Sequence, residues 1–533
     1  MVHGQWLAKW KALTGDKPAL IEEATARAVT YRELDERADR VANLLRARFG
    51  VGCGDRVAVL GQNRVEQVEL FFACAKLGAI LVPINWRLAP DEVAWILRDA
   101  APAVLFWGAD LADGVAALRD GRWSGPDVPF DGDGPDGYAA LVAAASPAPV
   151  RTDGIVEATP LLLLYTSGTT GRPKGAVLTH GTITWNAVNT ATGWDLHHDD
   201  VTLTHAPMFH TDGWNVLTLP LLHRGATVVL ARRFDAAAAL RAIARHRVTV
   251  FFAVPTMFQM MLDAPGFADT DLSSVRFFIS GGAPCPVPLI REFQRRGVVF
   301  KQGYGLTEVG PNCFVLHERD AVRKAGAVGF PVLHLETRLV DGRGREVPRG
   351  EVGELQLRGP TVCAGYWNNP AATAKALSPD GWFATGDLFR QDDEGYHSVV
   401  GRLKEMYISG GENVYPAEVE RVLYAIPGVK EAAVIGVPDP KWGEVGHAFL
   451  AFDPAATPWT PEQVVEHCRK ALARYKVPKY VTLLGELPKG SSGKIHKQEL
   501  QQGVAAGRYA AARSTTPGSA AGRGPREEER DGR

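Results

Sequence analysis

The sequence predicts an α/β protein with a large, multi-subdomain N-terminal domain and a small C-terminal α/β domain. Three observations lead there. Short apolar runs, such as residues 57–60 and 79–84, alternate with helical patterns such as 91–98, the rhythm of buried, largely parallel strands joined by helices. At 533 residues the chain exceeds what one hydrophobic core organises. A short polar stretch at 401–405 interrupts the pattern before a compact α/β pattern resumes.

Taken in order, Thr30 and Glu33 form a capping box at the head of an amphipathic helix, with Leu34, Ala38, Val41 and Leu45 on one face. Residues 109–154 are rich in Ala, Gly, Asp and Pro, carry a weak pattern, and are expected to be a surface excursion or irregular helix. The strand–helix alternation returns through 227–230, 236–245, 248–254 and 275–279, and again through 417–424, 429–437 and 461–475. The expected division is 1–401, a connector at 402–404, a second domain at 405–500, and a disordered tail at 501–533. That tail is Ala, Gly, Ser, Thr, Pro and charge, with too little apolar surface to order itself.

Composition excludes several classes. A net charge of −1, from 59 basic and 60 acidic residues, gives no global attraction for nucleic acid or anionic lipid. No apolar run reaches the ~18 residues that a membrane-spanning helix requires. Residues 1–15 lack the form of a secretory leader, and six scattered cysteines suggest neither a zinc site nor a disulfide framework. The expectation is a cytoplasmic protein, its oligomeric state open, a homodimer included.

Residues 166–175 carry the strongest chemical signal. Gly168, Gly171 and Gly175 let main-chain N–H groups converge on phosphate oxygens. Thr166, Ser167, Thr169 and Thr170 add short donors, and Lys174 adds a mobile positive charge. No Gly-Lys-Ser/Thr follows, so this is not a Walker A loop. Apolar runs on both sides predict that it joins two strands.

This loop resembles the phosphate-binding signature of the adenylate-forming enzymes: acyl-CoA synthetases, peptide-synthetase adenylation domains and luciferases. Further matches follow in that family's order: Ser280-Gly281-Gly282-Ala283-Pro284, Gln302-Gly303-Tyr304-Gly305-Leu306-Thr307-Glu308, Thr385-Gly386-Asp387, Gly401-Arg402-Leu403-Lys404-Glu405, Ser409-Gly410-Gly411-Glu412-Asn413 and Gly493-Lys494-Ile495. The resemblance runs from about Tyr31 to about Leu500. It implies the adenylate-forming fold, with ATP and CoA as co-substrates and Mg²⁺ as the metal.

It also implies roles. Residues 166–174 would hold the departing phosphates, and Glu308, with Thr166, would hold Mg²⁺. Thr307 would donate to the α-phosphate. Gln302, Gly303 and Gly305 belong to the nucleotide motif, and Gly281 to Pro284 would form the adenine platform on which Tyr304 stacks the base. Asp387, which has no cation at adjacent positions, would bind the ribose hydroxyls with help from Arg402. Lys494 would bridge the substrate carboxylate and the α-phosphate. Lys404 would be the hinge residue, where many relatives carry Asp. Ser409, Gly410 and Gly411 would approach the pantetheine arm.

For the acid itself, His210 stands where amino-acid activators carry Asp, which argues for a substrate without an ammonium group, although Asp212 lies two residues on. Trp214 resembles the gating tryptophan of long-chain fatty acyl-CoA synthetases, and residues 250–257, including Val254, would line an apolar cavity. The implied reaction is ATP-dependent acid–thiol ligation of a medium- to long-chain fatty acid or similar apolar carboxylate. An aryl-acid CoA ligase, a carrier-protein loader and an inactive nucleotide-binding homologue are the alternatives; oxidative luciferase chemistry has no visible provision.

Overall fold

The structure is a computed structural model describing residues 3–166, 173–490 and 493–509, with 512–513 as backbone. Two compact units are present: Met1–Lys404 together with Lys489–Ile495, and Glu405–Pro488 together with His496–Arg533.

In the first unit, the predicted helix spans Tyr31–Phe49. Glu33 N–H donates to Thr30 Oγ1 at 3.2 Å, Thr30 N–H donates to Glu33 Oε2 at 2.8 Å, and Gly50 ends the helix at φ +65°. Leu34, Ala38, Val41 and Leu45 are fully buried. A six-stranded sheet runs Asp127–Pro129, Val104–Trp107, Arg56–Leu60, Ile80–Ile84, Pro160–Thr166, Lys174–Thr179. All its neighbours are parallel except the last pair. Val250–Ala253, Phe277–Ser280 and Phe300–Gln302 form a parallel three-stranded sheet. Pro18–Glu22, Thr227–Leu230 and Val201–Thr204 form another parallel set, edged by antiparallel Ala28–Thr30.

One sequence expectation fails here. Residues 109–154 are not merely a surface excursion: Val115, Leu118, Val128, Phe130, Tyr138, Leu141 and Val142 are buried. Phe130 stacks on Phe106 at 5.9 Å, and the Tyr138 hydroxyl donates to buried Glu69 at 2.8 Å. The helices involved have only eight and seven residues, too short to print a periodicity. Glu336–Val340, Val352–Arg358, Phe383–Gln391 and His397–Arg402, over which the sequence reading assigns no strands, form an antiparallel meander. The alternating burial of 352–358, with Leu355 and Leu357 inward, is its signature.

In the second unit, Gly443–Phe452 pairs antiparallel with Val429–Asp439 and parallel with Tyr480–Leu484, backed by helices Pro416–Leu423 and Pro461–Ala471. The last helix, Lys497–Ala505, passes the expected boundary at residue 500. Leu500 is buried, Gly503 closes on the Tyr509 ring, and that ring meets Phe449 edge-on at 5.2 Å. Ala512–Arg513 then pair with Tyr480–Val481. The tail expected from composition lies, from residue 514 on, outside the described residues. Among the described residues no helix is long and apolar enough to cross a membrane.

Buried histidines give the fold an acid limit. His180, His205 and His223 are each pushed down to about 4, chiefly by burial. An unfolded chain takes up protons near pH 6.5 while these rings stay neutral to about pH 4, so stability is lost as pH falls through that window. Each ring contributes up to about 1.4 kcal/mol per pH unit. The urea midpoint at pH 5 is therefore expected to lie well below that at pH 7; equal midpoints would contradict the assignment.

Candidate active site

The site is assembled at one end of the antiparallel hairpin Pro160–Thr166/Lys174–Thr179, where Thr166 and Lys174 are in register. The Thr166 hydroxyl donates to Lys174 O at 3.4 Å. The segment 364–367 adds to the outer strand: Val177 N–H donates to Gly365 O and Trp367 N–H donates to Gly175 O. That places the Lys174 ammonium 5.3 Å from the Tyr366 ring centroid. The Tyr366 hydroxyl in turn donates to Glu308 Oε1 at 2.9 Å. Burial pushes the Glu308 carboxyl above its ordinary range, which the Tyr366 hydrogen bond only partly offsets. Ser167, Gly168, Thr169, Thr170 and Gly171 lie outside the described residues.

Next to it, Asp387 and Arg402 face each other across Phe383–Gln391 and His397–Arg402. Arg402 Nε is 3.1 Å from Asp387 Oδ1, and the Tyr304 hydroxyl donates to Asp387 Oδ2 at 2.6 Å. The cation absent from adjacent sequence positions thus arrives from the neighbouring strand. Asp387 is 7% exposed, and Gly386 before it turns at φ +70°.

A cavity in this unit is walled by Trp194, Phe252, Val216, Ile279, Leu306 and Pro311 and carries polar groups from His210, Asp212, Ser280, Thr307, Asn312 and Lys494. Backbone at Gly281, Gly282, Gly303, Tyr304 and Gly305 completes it. Lys494 is fixed by its loop. Thr256 Oγ1 donates to Gly493 O at 3.1 Å, Gly490 N–H donates to Lys494 O at 2.8 Å, and Gly493 takes φ +79°. Gly282 takes φ +78°, and a Cβ there would lie 2.7 Å from Lys494 Cε. The positive φ favours glycine, and a Cβ would push the Lys494 side chain aside. Gly282→Ala is expected to lower pyrophosphate release at least about tenfold by displacing this lysine; unchanged release from a folded variant would remove Lys494 from the site.

Against this geometry, the family model of the AMP-binding enzymes matches residues 7–367, and that of the AMP-binding enzyme C-terminal domain matches 418–494. The chain belongs to the AMP-binding enzyme family. A feruloyl-CoA synthase of Amycolatopsis is 44% identical over 504 residues, spanning 94% of this chain and 98% of the relative. An indoleacetate–CoA ligase of Aromatoleum aromaticum is 42% identical, spanning 95% and 98%. A Mycobacterium tuberculosis fatty acyl CoA synthetase structure superposes with a TM-score of 0.76 at 36% identity, spanning 95% and 99%. This family member is an acyl-CoA synthetase, an acid–thiol ligase, with ATP and CoA as its co-substrates.

Several expected site residues of this synthetase sit elsewhere. Trp214 is fully buried, stacked on Phe71 at 5.2 Å with its indole N–H on Met208 O; it is core, not a gate on the cavity. Val254 packs beside Gly282 and Gly493 rather than on the wall, and of the run 250–257 only Phe252 lines the cavity, because strand alternation turns Phe251 and Ala253 into the core. Gln302 spends its side chain on backbone, accepting from Cys285 N–H at 2.8 Å and donating to Gly326 O at 3.3 Å. It pins the 281–285 loop. Ala283 and Pro284 lie outside the cavity lining.

In the second unit, Ser409 and Glu412 pair across a two-residue hairpin whose Gly410 and Gly411 take φ +62° and +89°, as a type I′ turn requires. Lys404 closes the first unit. Lys497 is tied to Glu405 and Glu420 at 2.9 and 2.8 Å, a structural role. Tyr366 and Asn312 were missed. The signals were an aromatic pair, Tyr366-Trp367, after a glycine, and a polar residue in the apolar stretch after Glu308.

Proposed function

We propose that this acyl-CoA synthetase activates aromatic carboxylic acids. The carrying observation is the cavity, to which Trp194 and Phe252 supply aromatic walls. A second, smaller cavity shares Asp212, Val216 and Phe252 and is lined by Leu203, Ala206 and Leu217 as well as by Thr202, Thr204, His205 and Thr218. Thr202 Oγ1 and His205 Nδ1 are buried there without a partner among the described residues. The two relatives at 44% and 42% identity, named for feruloyl and indoleacetate substrates, support the same reading.

In this reading the acid's carboxylate oxygen attacks the α-phosphorus of ATP, the Pα–O bond to the β-phosphate breaks, and pyrophosphate leaves. The CoA thiolate then attacks the acyl carbon, the acyl–O bond to AMP breaks, and AMP departs. Lys174 and the loop 166–171 hold the leaving phosphates, and Thr307 donates to the α-phosphate. Asp387 and Arg402 take the ribose, and Gly281–Gly282 with Tyr304 form the base site. Lys494 neutralises charge between carboxylate and α-phosphate, where it develops in the transition state.

Thr166 and Glu308 would hold Mg²⁺. The residues fit: Glu308 is a buried carboxyl wanting a countercharge, one protein carboxylate rather than an all-protein cage. That matches a cation bound mainly through phosphate oxygens, supplying charge neutralisation. Lys404 serves as the hinge, and the Ser409-Gly410-Gly411 turn meets the pantetheine arm. A cytoplasmic setting belongs to the same proposal.

The test is incubation with ATP, Mg²⁺, a panel of aryl acids and hexadecanoate, following pyrophosphate and AMP with and without CoA. The best aryl acid is expected to exceed hexadecanoate at least about tenfold in kcat/KM. Preference for hexadecanoate would overturn the aryl reading. Pyrophosphate without CoA-stimulated AMP would indicate a carrier-protein acceptor, and none at all an inactive homologue.

A further inference from the structure

We infer that the Thr256 hydroxyl is a positioning group that sets Lys494 for acyl-adenylate formation and is released for thioester formation. The inference rests on the roles proposed for Lys494 and for the Lys404 hinge, and deepens them. Segment Lys489–Ile495 groups with the first unit, while the residues on either side of it, Pro488 and His496, group with the second. The segment closes on itself. Lys489 and Ile495 bridge antiparallel, Gly490 N–H donates to Lys494 O at 2.8 Å, Gly493 N–H donates to Gly490 O at 2.9 Å, and His496 N–H donates to Pro488 O at 2.7 Å. It therefore moves as one piece and carries Lys494 with it.

Its seat in the first unit is built by Val254, Thr256 and Gly282. Thr256 is the second residue of helix Pro255–Asp263, and its hydroxyl donates to Gly493 O at 3.1 Å. A Cβ at Gly493 would lie 3.1 Å from Thr256 Oγ1 and 3.7 Å from Val254 Cγ2. A Cβ at Gly282 would lie 2.7 Å from Lys494 Cε and 3.5 Å from Val254 Cγ1. Apolar contact is non-directional, whereas the hydroxyl fixes an orientation. The Gly493 carbonyl belongs to the planar peptide that ends on the Lys494 Cα, so holding that oxygen fixes the atom from which the ammonium reaches. Thr256 is not part of the cavity lining among the described residues, so it acts through Lys494 rather than on the substrate. Adenylate formation needs that ammonium held where charge develops. Thioester formation makes no bond to the α-phosphorus, and turning about Lys404 carries Pro488 and His496 with it, so the segment between them leaves its seat. Thr256 and Gly493 are both half-buried. A hydrogen bond there is modest in strength, enough to hold the segment for one step without trapping it for the next.

The experiment measures single-turnover adenylate formation and, separately, thioester formation from supplied acyl-AMP. It uses whichever acid of the aryl and hexadecanoate panel turns over fastest. Thr256→Val keeps the shape of the side chain and removes the donor. It is expected to slow adenylate formation about three- to tenfold, the range for one modest hydrogen bond, and to leave thioester formation as fast as in the unmodified enzyme or faster. Thr256→Ser, which keeps the hydroxyl, is expected to stay within about twofold in both steps. In a Lys494→Ala background, Thr256→Val is expected to cost less than about twofold, because a residue acting through the lysine has nothing left to position. Equal slowing of both steps, an undiminished loss in the Lys494→Ala background, or no loss at all would overturn the role. Should Thr256→Val not fold, Thr256→Ala carries the same comparison on the same criteria. Lys494→Ala slowing both steps alike would sink the reading of the lysine and hinge itself. Lys494→Ala separating the steps while Thr256→Val changes neither would sink only Thr256.

Discussion

Lys494→Ala is expected to lower acyl-adenylate formation by about a thousandfold, the upper range for removing a donor aimed at developing charge. Thioester formation from supplied acyl-AMP is expected to stay within about threefold, because that step forms no bond to the α-phosphorus. The side chain lines the cavity beside Gly282, and its loop is tied by the Thr256–Gly493 and Gly490–Lys494 hydrogen bonds. The loss therefore reports a missing cation rather than a collapsed loop. Single-turnover measurements of each half-reaction check it, and equal loss in both would contradict the role.

Glu308→Gln is expected to lower pyrophosphate release about a hundredfold and to raise the Mg²⁺ concentration needed for half-maximal rate. Its pH behaviour gives a second readout. With its carboxyl held above the ordinary range by burial, free-enzyme Glu308 protonates at a higher pH than an exposed glutamate. Mg·ATP binding, which needs the carboxylate, should then weaken as pH falls through that raised value, and Glu308→Gln should erase this acid limb. An unchanged Mg²⁺ requirement and an unchanged acid limb would both contradict the assignment. Tyr366→Phe, with Glu308 intact, removes a hydrogen bond that lowers the Glu308 carboxyl and should move the limb to higher pH.

Much of the site was legible because its residues act through backbone and charge, which short motifs encode directly. The hairpin about 166–174 and the capped helix after Thr30 follow from local chemistry, whereas the association of Asp387 with Arg402 was implied by the family resemblance. What escaped was set by packing at long range. Nothing near Trp214 announces that Phe71, more than a hundred residues away, stacks on it. Tyr366 reaches Glu308 only because 364–367 joins a distant strand edge. Likewise Asn312 is held in the cavity wall only because Asn215 O and Val216 O, distant in sequence, accept from its NH₂. The apolar run 250–257 is a core strand with one residue on the cavity for the same reason, its partners being distant in sequence.

The central claim is that one cavity, walled by Trp194 and Phe252 and bounded by Gly282 and Lys494, joins an aromatic acid to a nucleotide whose ribose rests on Asp387. A crystal structure with a non-hydrolysable aryl-sulfamoyl adenosine tests it most directly. The account predicts the ring against Trp194 and Phe252, the ribose hydroxyls on Asp387, and the sulfamoyl group within hydrogen-bond reach of Lys494. An adenylate analogue bound away from Gly282 and Lys494, or a ring outside that cavity, would contradict it.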